Sequence, residues 1–187
     1  MKRIRLQPEA YRLGHCFSVT LATAERARVF TQANAVQTCL SALRHAATRY
    51  EAKVYAYCFM PDHLHLLVDT PDSVDSIDFV RYFKQLSAYR LSHASQTAHR
   101  LWQTRFYDHA LRLDEDVVTA ARYIFDNPVR AGIVANAADY PFSGSLVWKG
   151  ALSRRGQKTP TYISSGSEDP DLHLRVTNRK KEVKEWT

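Results

Sequence analysis

The sequence has 187 residues, 45% of them hydrophobic and 24% charged, which suits one globular domain with enough apolar side chains for a sizeable core. That balance excludes disorder throughout, and no apolar run approaches the length of a membrane span. The net charge of +7 sits at the ends: residues 1 to 50 hold eight Lys/Arg against two Asp/Glu and residues 151 to 187 hold eight against five, whereas 51 to 150 hold ten against twelve. Basic ends around a nearly neutral middle suit an anionic partner such as nucleic acid, and equally plain solubility. Cys16, Cys39 and Cys58 are single and set among apolar residues. They predict buried, reduced thiols and a cytoplasmic protein with no disulfide framework. Met1-Lys2-Arg3-Ile4-Arg5 is basic but precedes no apolar run, so no secretory leader is expected.

Residues 1 to 14 read as basic and turn-like, and His15 to Thr23 alternates with β-branched residues as a first strand. From about Ala33 to Glu51, Val36, Cys39, Leu40, Leu43, Ala46 and Ala47 recur at helical spacing. This predicts an amphipathic helix. Val54 to Met60 and Leu64 to Asp69 are short apolar runs joined by Met60-Pro61-Asp62-His63, where Pro and Asp suit a tight turn. A hairpin follows, and because Leu66, Leu67 and Val68 are apolar in succession its sheet is expected to be covered on both faces.

After the break at Thr70-Pro71-Asp72-Ser73, a second helix over about Ser76 to Ser92 carries Phe79, Phe83 and Leu86 on one stripe, with Arg81, Lys84 and Arg90 beside it. Such interleaving serves DNA backbone contacts or simply edges a core stripe. A strand is predicted from Arg105 to Leu113. Asp114 then caps a third helix, with Glu115 and Asp116 in its first turn and Val117, Val118, Ala121, Ile124 and Phe125 as its buried stripe. Tyr123 and Asn127 lie four apart off that stripe and so share a helix face. Asn127, followed by Pro128, also suits an N-cap for a short turn over Pro128 to Ala131 that Gly132 ends. Tyr140 to Gly150 reads as an irregular, aromatic-anchored segment. Gly156-Gln157-Lys158-Thr159 is only loosely like a phosphate-binding loop and is rejected. The expected organisation is one domain over residues 1 to 150 and a polar, basic tail over 151 to 187.

The stretch Phe59-Met60-Pro61-Asp62-His63-Leu64-His65-Leu66-Leu67-Val68-Asp69 organises the rest. In a strand, His63 and His65 point to one face and Leu64, Leu66 and Val68 to the other. Two neutral imidazoles supply part of a metal shell and leave positions open for a substrate oxygen or water. On spacing alone, two surface histidines on an amphipathic strand remain the simpler reading.

Three separated pieces then coincide with one pattern: Met60-Pro61-Asp62-His63-Leu64-His65-Leu66-Leu67, Leu101-Trp102-Gln103-Thr104-Arg105-Phe106-Tyr107-Asp108-His109, and Arg122-Tyr123-Ile124-Phe125-Asp126-Asn127-Pro128-Val129-Arg130-Ala131-Gly132-Ile133-Val134. From about Arg5 to Lys149 the chain resembles the single-tyrosine HUH transposases, in particular the REP-associated tyrosine transposases. The resemblance implies an α+β fold, a ferredoxin-like antiparallel sheet with helices on its faces. It also implies a metal-dependent nuclease and strand transferase acting on single-stranded or hairpin DNA through a 5′-phosphotyrosine. His63 and His65 match the pair that binds Mg2+ or Mn2+, Asn127 the polar residue completing the metal site, and Tyr123 the nucleophile, favoured over Tyr107 because Tyr107 lacks a partner four residues on.

Arg3, Arg5 and Arg12, with Arg81, Lys84 and Arg90, are the expected DNA-binding residues. Exchange of one phosphodiester for another needs no nucleotide, which agrees with the missing phosphate loop. Two other readings stand beside this one: a domesticated DNA-hairpin binding protein that no longer cuts, and an RNA-binding protein using Tyr55, Tyr57 and Phe59 as sheet aromatics. No membrane is expected as a partner, and monomer and homodimer both stay open.

Overall fold

The computed structural model describes residues 16–95, 100–104, 107–110 and 117–148. The basic amino-terminal residues, the acidic cap at 114–116 and the expected tail therefore lie outside the described residues. In chain order the elements are β1 (Phe17–Ala22), α1 (Ala33–Arg49), β2 (Lys53–Met60), β3 (His63–Asp69), α2 (Ser76–Ser95), β4 (Tyr107–Ala110), α3 (Val117–Phe125), α4 (Asn127–Arg130) and β5 (Ser143–Gly144). Short 3-10 turns at Ala24–Arg26 and Val29–Thr31 link β1 to α1.

The sheet runs β4-β1-β3-β2-β5 with every neighbour antiparallel. A helix follows β1 and another follows β3, so the first four strands take the 4-1-3-2 ferredoxin-like order and β5 extends one edge. The fold class expected from the sequence is the one observed. The fourth strand, expected over Arg105 to Leu113, is described over Tyr107–Ala110.

Alternation along the strands sorts the core into two layers. Phe17, Val19 and Leu21 of β1, Leu64, Leu66 and Val68 of β3, and Val54, Tyr57 and Phe59 of β2 face α1 and α2, where they pack with Val36, Cys39, Leu43, Phe79, Val80 and Phe83. The opposite face carries Tyr55, Ala56, Cys58, Met60 and Leu67 against Ala121, Ile124 and Tyr140. A register shift between Val54 and Ala56 allows Tyr55 and Ala56 both to serve this second layer. Both faces are thus covered, as the consecutive apolar residues of β3 require. Tyr55, Tyr57 and Phe59 are all buried, so these three offer bases no stacking platform and the RNA-binding reading loses the residues it rested on. Among the described residues, no helix is long and apolar enough to cross a membrane.

The junctions rest on local chemistry. Glu51 adopts φ 51°, with its own N–H bonded to the Thr48 carbonyl (3.4 Å) and that of Ala52 to the Ala47 carbonyl (2.9 Å). This is a Schellman closure in which Glu occupies the left-handed position usually filled by Gly. Gly132 (φ 69°) makes the same closure after α4, with Gly132 N–H to Val129 O and Ile133 N–H to Pro128 O, each 2.9 Å. The aromatic segment after α4 is tied to the sheet by the Tyr140 hydroxyl, which donates to the Phe59 carbonyl at 2.6 Å.

Two outcomes follow from these packing features. Glu51→Gly relieves a left-handed non-glycine residue and should raise stability by about 0.5–1 kcal/mol, read as a higher urea midpoint. Burial pushes the thiols of Cys39 and Cys58 up to about 12, so both should resist iodoacetamide at about pH 8 in the folded protein and react only after denaturation.

Candidate functional site

The β2–β3 turn is held by two residues of the β1–α1 connection, Thr23 and Phe30. Thr23, just past β1 and fully buried, donates its N–H to the Asp62 carbonyl at 3.0 Å. Its hydroxyl lies 2.8 Å from the carbonyls of both Asp62 and Ala27, sharing one proton between them. Phe30 N–H meets the Pro61 carbonyl at 3.0 Å, and its ring packs at 5.1 Å on Phe59 and 5.4 Å on Trp102. Pro61 and Asp62 therefore sit in a turn whose carbonyls have fixed partners.

From that turn His63 and His65 emerge on the same face of β3, with their Nε2 atoms 3.0 Å apart. Each ring is aimed by a bond at its other nitrogen. Asp62 Oδ1 lies 2.6 Å from His63 Nδ1, and Thr20 Oγ1, directly across the β1–β3 ladder, lies 2.9 Å from His65 Nδ1. Burial works to raise the pKa of Asp62, but the bond and charge from His63, with Arg26 at 3.3 Å, hold it below the ordinary carboxylate range. In the neutral form of His63, an ionised Asp62 favours the tautomer with its proton on Nδ1 and a bare Nε2 lone pair.

His65 is held neutral. Burial, then the charges of His63 and Arg130, lower its pKa to about 4. If its Nδ1–H donates to Thr20, two bare Nε2 lone pairs face each other, and a shared cation satisfies both. Otherwise His65 takes the other tautomer, receives the Thr20 proton at Nδ1, and donates Nε2–H to His63.

A metal fits this pair on its dimensions: two ligands each about 2.1 Å from one ion and at right angles stand about 3 Å apart. Among the described residues no group of three His, Cys, Asp or Glu is arranged to hold a metal ion. Asn127 offers an amide. Its Nδ2 donates to the carbonyls of Tyr123 (3.1 Å) and Ile124 (3.2 Å), and among the described residues nothing donates to its Oδ1. The N-cap of α4 is Asp126, with Asn127 inside the turn. Asn127 thus serves the end of α3 rather than the N-cap expected from the sequence, because its amide donors reach back to carbonyls that the helix leaves open.

Tyr123 projects from α3, which packs against β2 and β3 on the face that carries the histidines. It is 57% exposed, so a substrate can reach its hydroxyl. The guanidinium of Arg130 lies over its ring, 4.3 Å from the centroid. Arg130, Thr20 and Asp62 had no assigned role in the sequence reading. Asp62 was readable as the neighbour of His63, whereas Thr20 is joined to His65 only by the ladder.

The basic residues expected to meet DNA divide differently. Arg3, Arg5 and Arg12 lie outside the described residues. Arg81, Lys84 and Arg90 stand on α2, which covers the opposite face of the sheet from the histidines. Arg81 pairs with Asp78, and Arg90 donates to Ser41 Oγ at 3.0 Å. Lys84 donates to the carbonyls of Gln103 (2.7 Å) and Thr104 (3.2 Å). Its charge ties the Trp102 segment to α2, and burial, then Arg100, lowers its pKa.

Comparison with known proteins places this geometry. A sequence model described as IS200-like transposase matches residues 14–127. A Haemophilus influenzae protein, described as a candidate REP-associated tyrosine transposase, is 28% identical over 145 residues, covering 72% of this chain and 78% of that protein. The Escherichia coli K12 REP-associated tyrosine transposase is 31% identical over 105 residues, covering 54% and 61%. A solved REP-associated tyrosine transposase bound to a REP hairpin is similar in structure, with a TM-score of 0.62, 26% identity, and coverage of 76% of this chain and 82% of that one.

The turn that presents both histidines depends on Thr23, so Thr23→Val, which keeps the shape and removes the hydroxyl, should cost about 1–3 kcal/mol in chemical denaturation.

Proposed function

This chain belongs to the IS200-like transposase family, and from that premise we propose that it cleaves and rejoins single-stranded or hairpin DNA through a covalent bond to Tyr123, with a divalent cation held by His63, His65 and Asn127. The observation that carries the proposal is the pair of Nε2 atoms at 3.0 Å, aimed by Thr20 and Asp62, on the sheet face that α3 covers with an accessible tyrosine. The hairpin bound to the similar solved structure supports hairpin DNA as the substrate class.

His63 and His65 would hold the cation through imidazole nitrogens and Asn127 through its amide oxygen. The chemistry that Mg2+ or Mn2+ supplies when bound is Lewis-acid polarisation of a phosphoryl oxygen. Imidazole donors suit Mn2+ better than Mg2+, with cellular availability deciding between them. Tyr123 Oη attacks the scissile phosphorus and forms the new P–O bond as the bond to the 3′ oxygen breaks. The phenol loses a proton and the departing oxygen gains one, which gives a 5′-phosphotyrosine and a free 3′-hydroxyl. One phosphodiester replaces another, so the strand can be passed to a second 3′-hydroxyl without an external energy source.

The test is a denaturing gel of the protein with labelled hairpin oligonucleotides and Mn2+ or Mg2+. Wild type should give a covalent adduct that Tyr123→Phe and the double variant His63→Ala/His65→Ala each reduce by about 10³-fold or more. Hairpin binding without any adduct, on a broad substrate set and with both metals, would instead identify a binding protein that does not cut.

A further inference from the structure

We infer that Arg130 is the phosphate-binding residue of this site, gripping a non-bridging oxygen of the scissile phosphate beside the Tyr123 hydroxyl. The inference rests on the cleavage reading above and adds to it a residue and a ligand atom.

Tyr123, Asn127 and Arg130 are spaced by four and then three residues, which puts them in line on one helical face if the helix continues through Asp126. It does continue in effect. Asp126 keeps right-handed helical angles (φ −80°, ψ −8°), and N–H bonds of 2.9 Å run from Asp126 to Arg122, from Arg130 to Asp126 and from Ala131 to Asn127. The Gly132 closure then fixes where the face ends. The result is a phenol, an amide and a guanidinium in a row, with the guanidinium folded back over the phenol ring at 4.3 Å.

Arg130 is exposed, yet among the described residues it makes no ion pair and no hydrogen bond. Arg26, Arg81 and Arg90, by contrast, are engaged with Asp62, Asp78 and Ser41. A guanidinium lying over a ring face is held in place while the N–H donors along its edge stay available, in a fork that matches phosphate oxygens. Arg130 is thus a cation that this face presents beside the tyrosine ring.

In the transfer step the attacked phosphorus carries extra negative charge on its non-bridging oxygens. A donor fixed beside the nucleophile stabilises that charge without having to reorganise. The phosphotyrosine product keeps one negative charge, so the same contact holds it for the second transfer.

The experiment has two readouts. The first is the rate of adduct formation on a cleaved hairpin for wild type, Arg130→Lys and Arg130→Ala, each checked for an unchanged thermal melt. The second is the affinity of Tyr123→Phe and Tyr123→Phe/Arg130→Ala for the same oligonucleotide, carrying either the ordinary diester or a single uncharged methylphosphonate at the mapped cleavage position.

The expected result is an Arg130→Ala adduct rate about 10²-fold below wild type, with Arg130→Lys in between, and a binding deficit on the diester that disappears on the methylphosphonate. An Arg130→Ala rate equal to wild type overturns the inference and leaves the cleavage reading standing. So does a binding difference of the same size on both oligonucleotides, zero included. Absence of any adduct from wild type overturns the cleavage reading and this inference with it.

Discussion

β3 lies in the middle of the sheet, hydrogen-bonded to β1 along one edge and to β2 along the other, and that double pairing is the constraint on which the site depends. A one-residue slip of a strand turns every side chain to the opposite face. For β3 such a slip would drive His63 and His65 into the layer filled by Phe79 and Phe83 and bring Leu64, Leu66 and Val68 to the surface under α3. The register is therefore as strongly specified as the core itself. The imidazoles inherit that precision at no separate cost in ordering. The clamp from Thr23 on the turn sets where the strand begins, and Thr20, two residues before the end of β1, meets His65 because the same ladder puts them opposite one another.

The two faces of the sheet divide the work. The face under α1 and α2 holds the larger core, with Phe30, Trp102 and the Phe59 ring closing its end beside the hairpin turn. The face under α3 has a smaller apolar layer, and among the described residues it also carries Thr20, His63 and His65. A helix of nine residues anchored by Ala121 and Ile124 is enough to fix one side of a site when the sheet below is rigid. It leaves Tyr123 open to solvent. The proposed DNA substrate would need that openness, since a closed pocket would exclude a polymer.

Charge is placed with similar economy. Asp62 is ionised and spends its charge on His63 and Arg26, His65 is held neutral, and α2 turns Lys84 inward to carbonyl oxygens. The cation next to the tyrosine comes instead from the far end of the same helical face, at Arg130. Which basic residues keep their charge free depends on what else that charge is already committed to, a property that composition does not carry.

Much of this was legible in the sequence. Alternation placed His63 and His65 on one face, because a strand has a period of two whatever surrounds it. Helical periodicity placed Tyr123 and Asn127 together, Gly132 ended the turn because a left-handed position favours glycine, and the run Leu66-Leu67-Val68 required cover on both faces. These are local rules, and local rules can be read without neighbours. The rest was decided by contacts between residues far apart in the chain. Thr20 meets His65 across 45 positions, and Tyr140 reaches Phe59 across 81. Lys84 left the list of free cations only when α2 met the Trp102 segment. Asn127 turned back to α3 because open carbonyls lay within reach, and Glu51 took a glycine's conformation because the helix end and β2 demanded that turn. Periodicity says which way a side chain points; only the packed tertiary structure decides what it finds there.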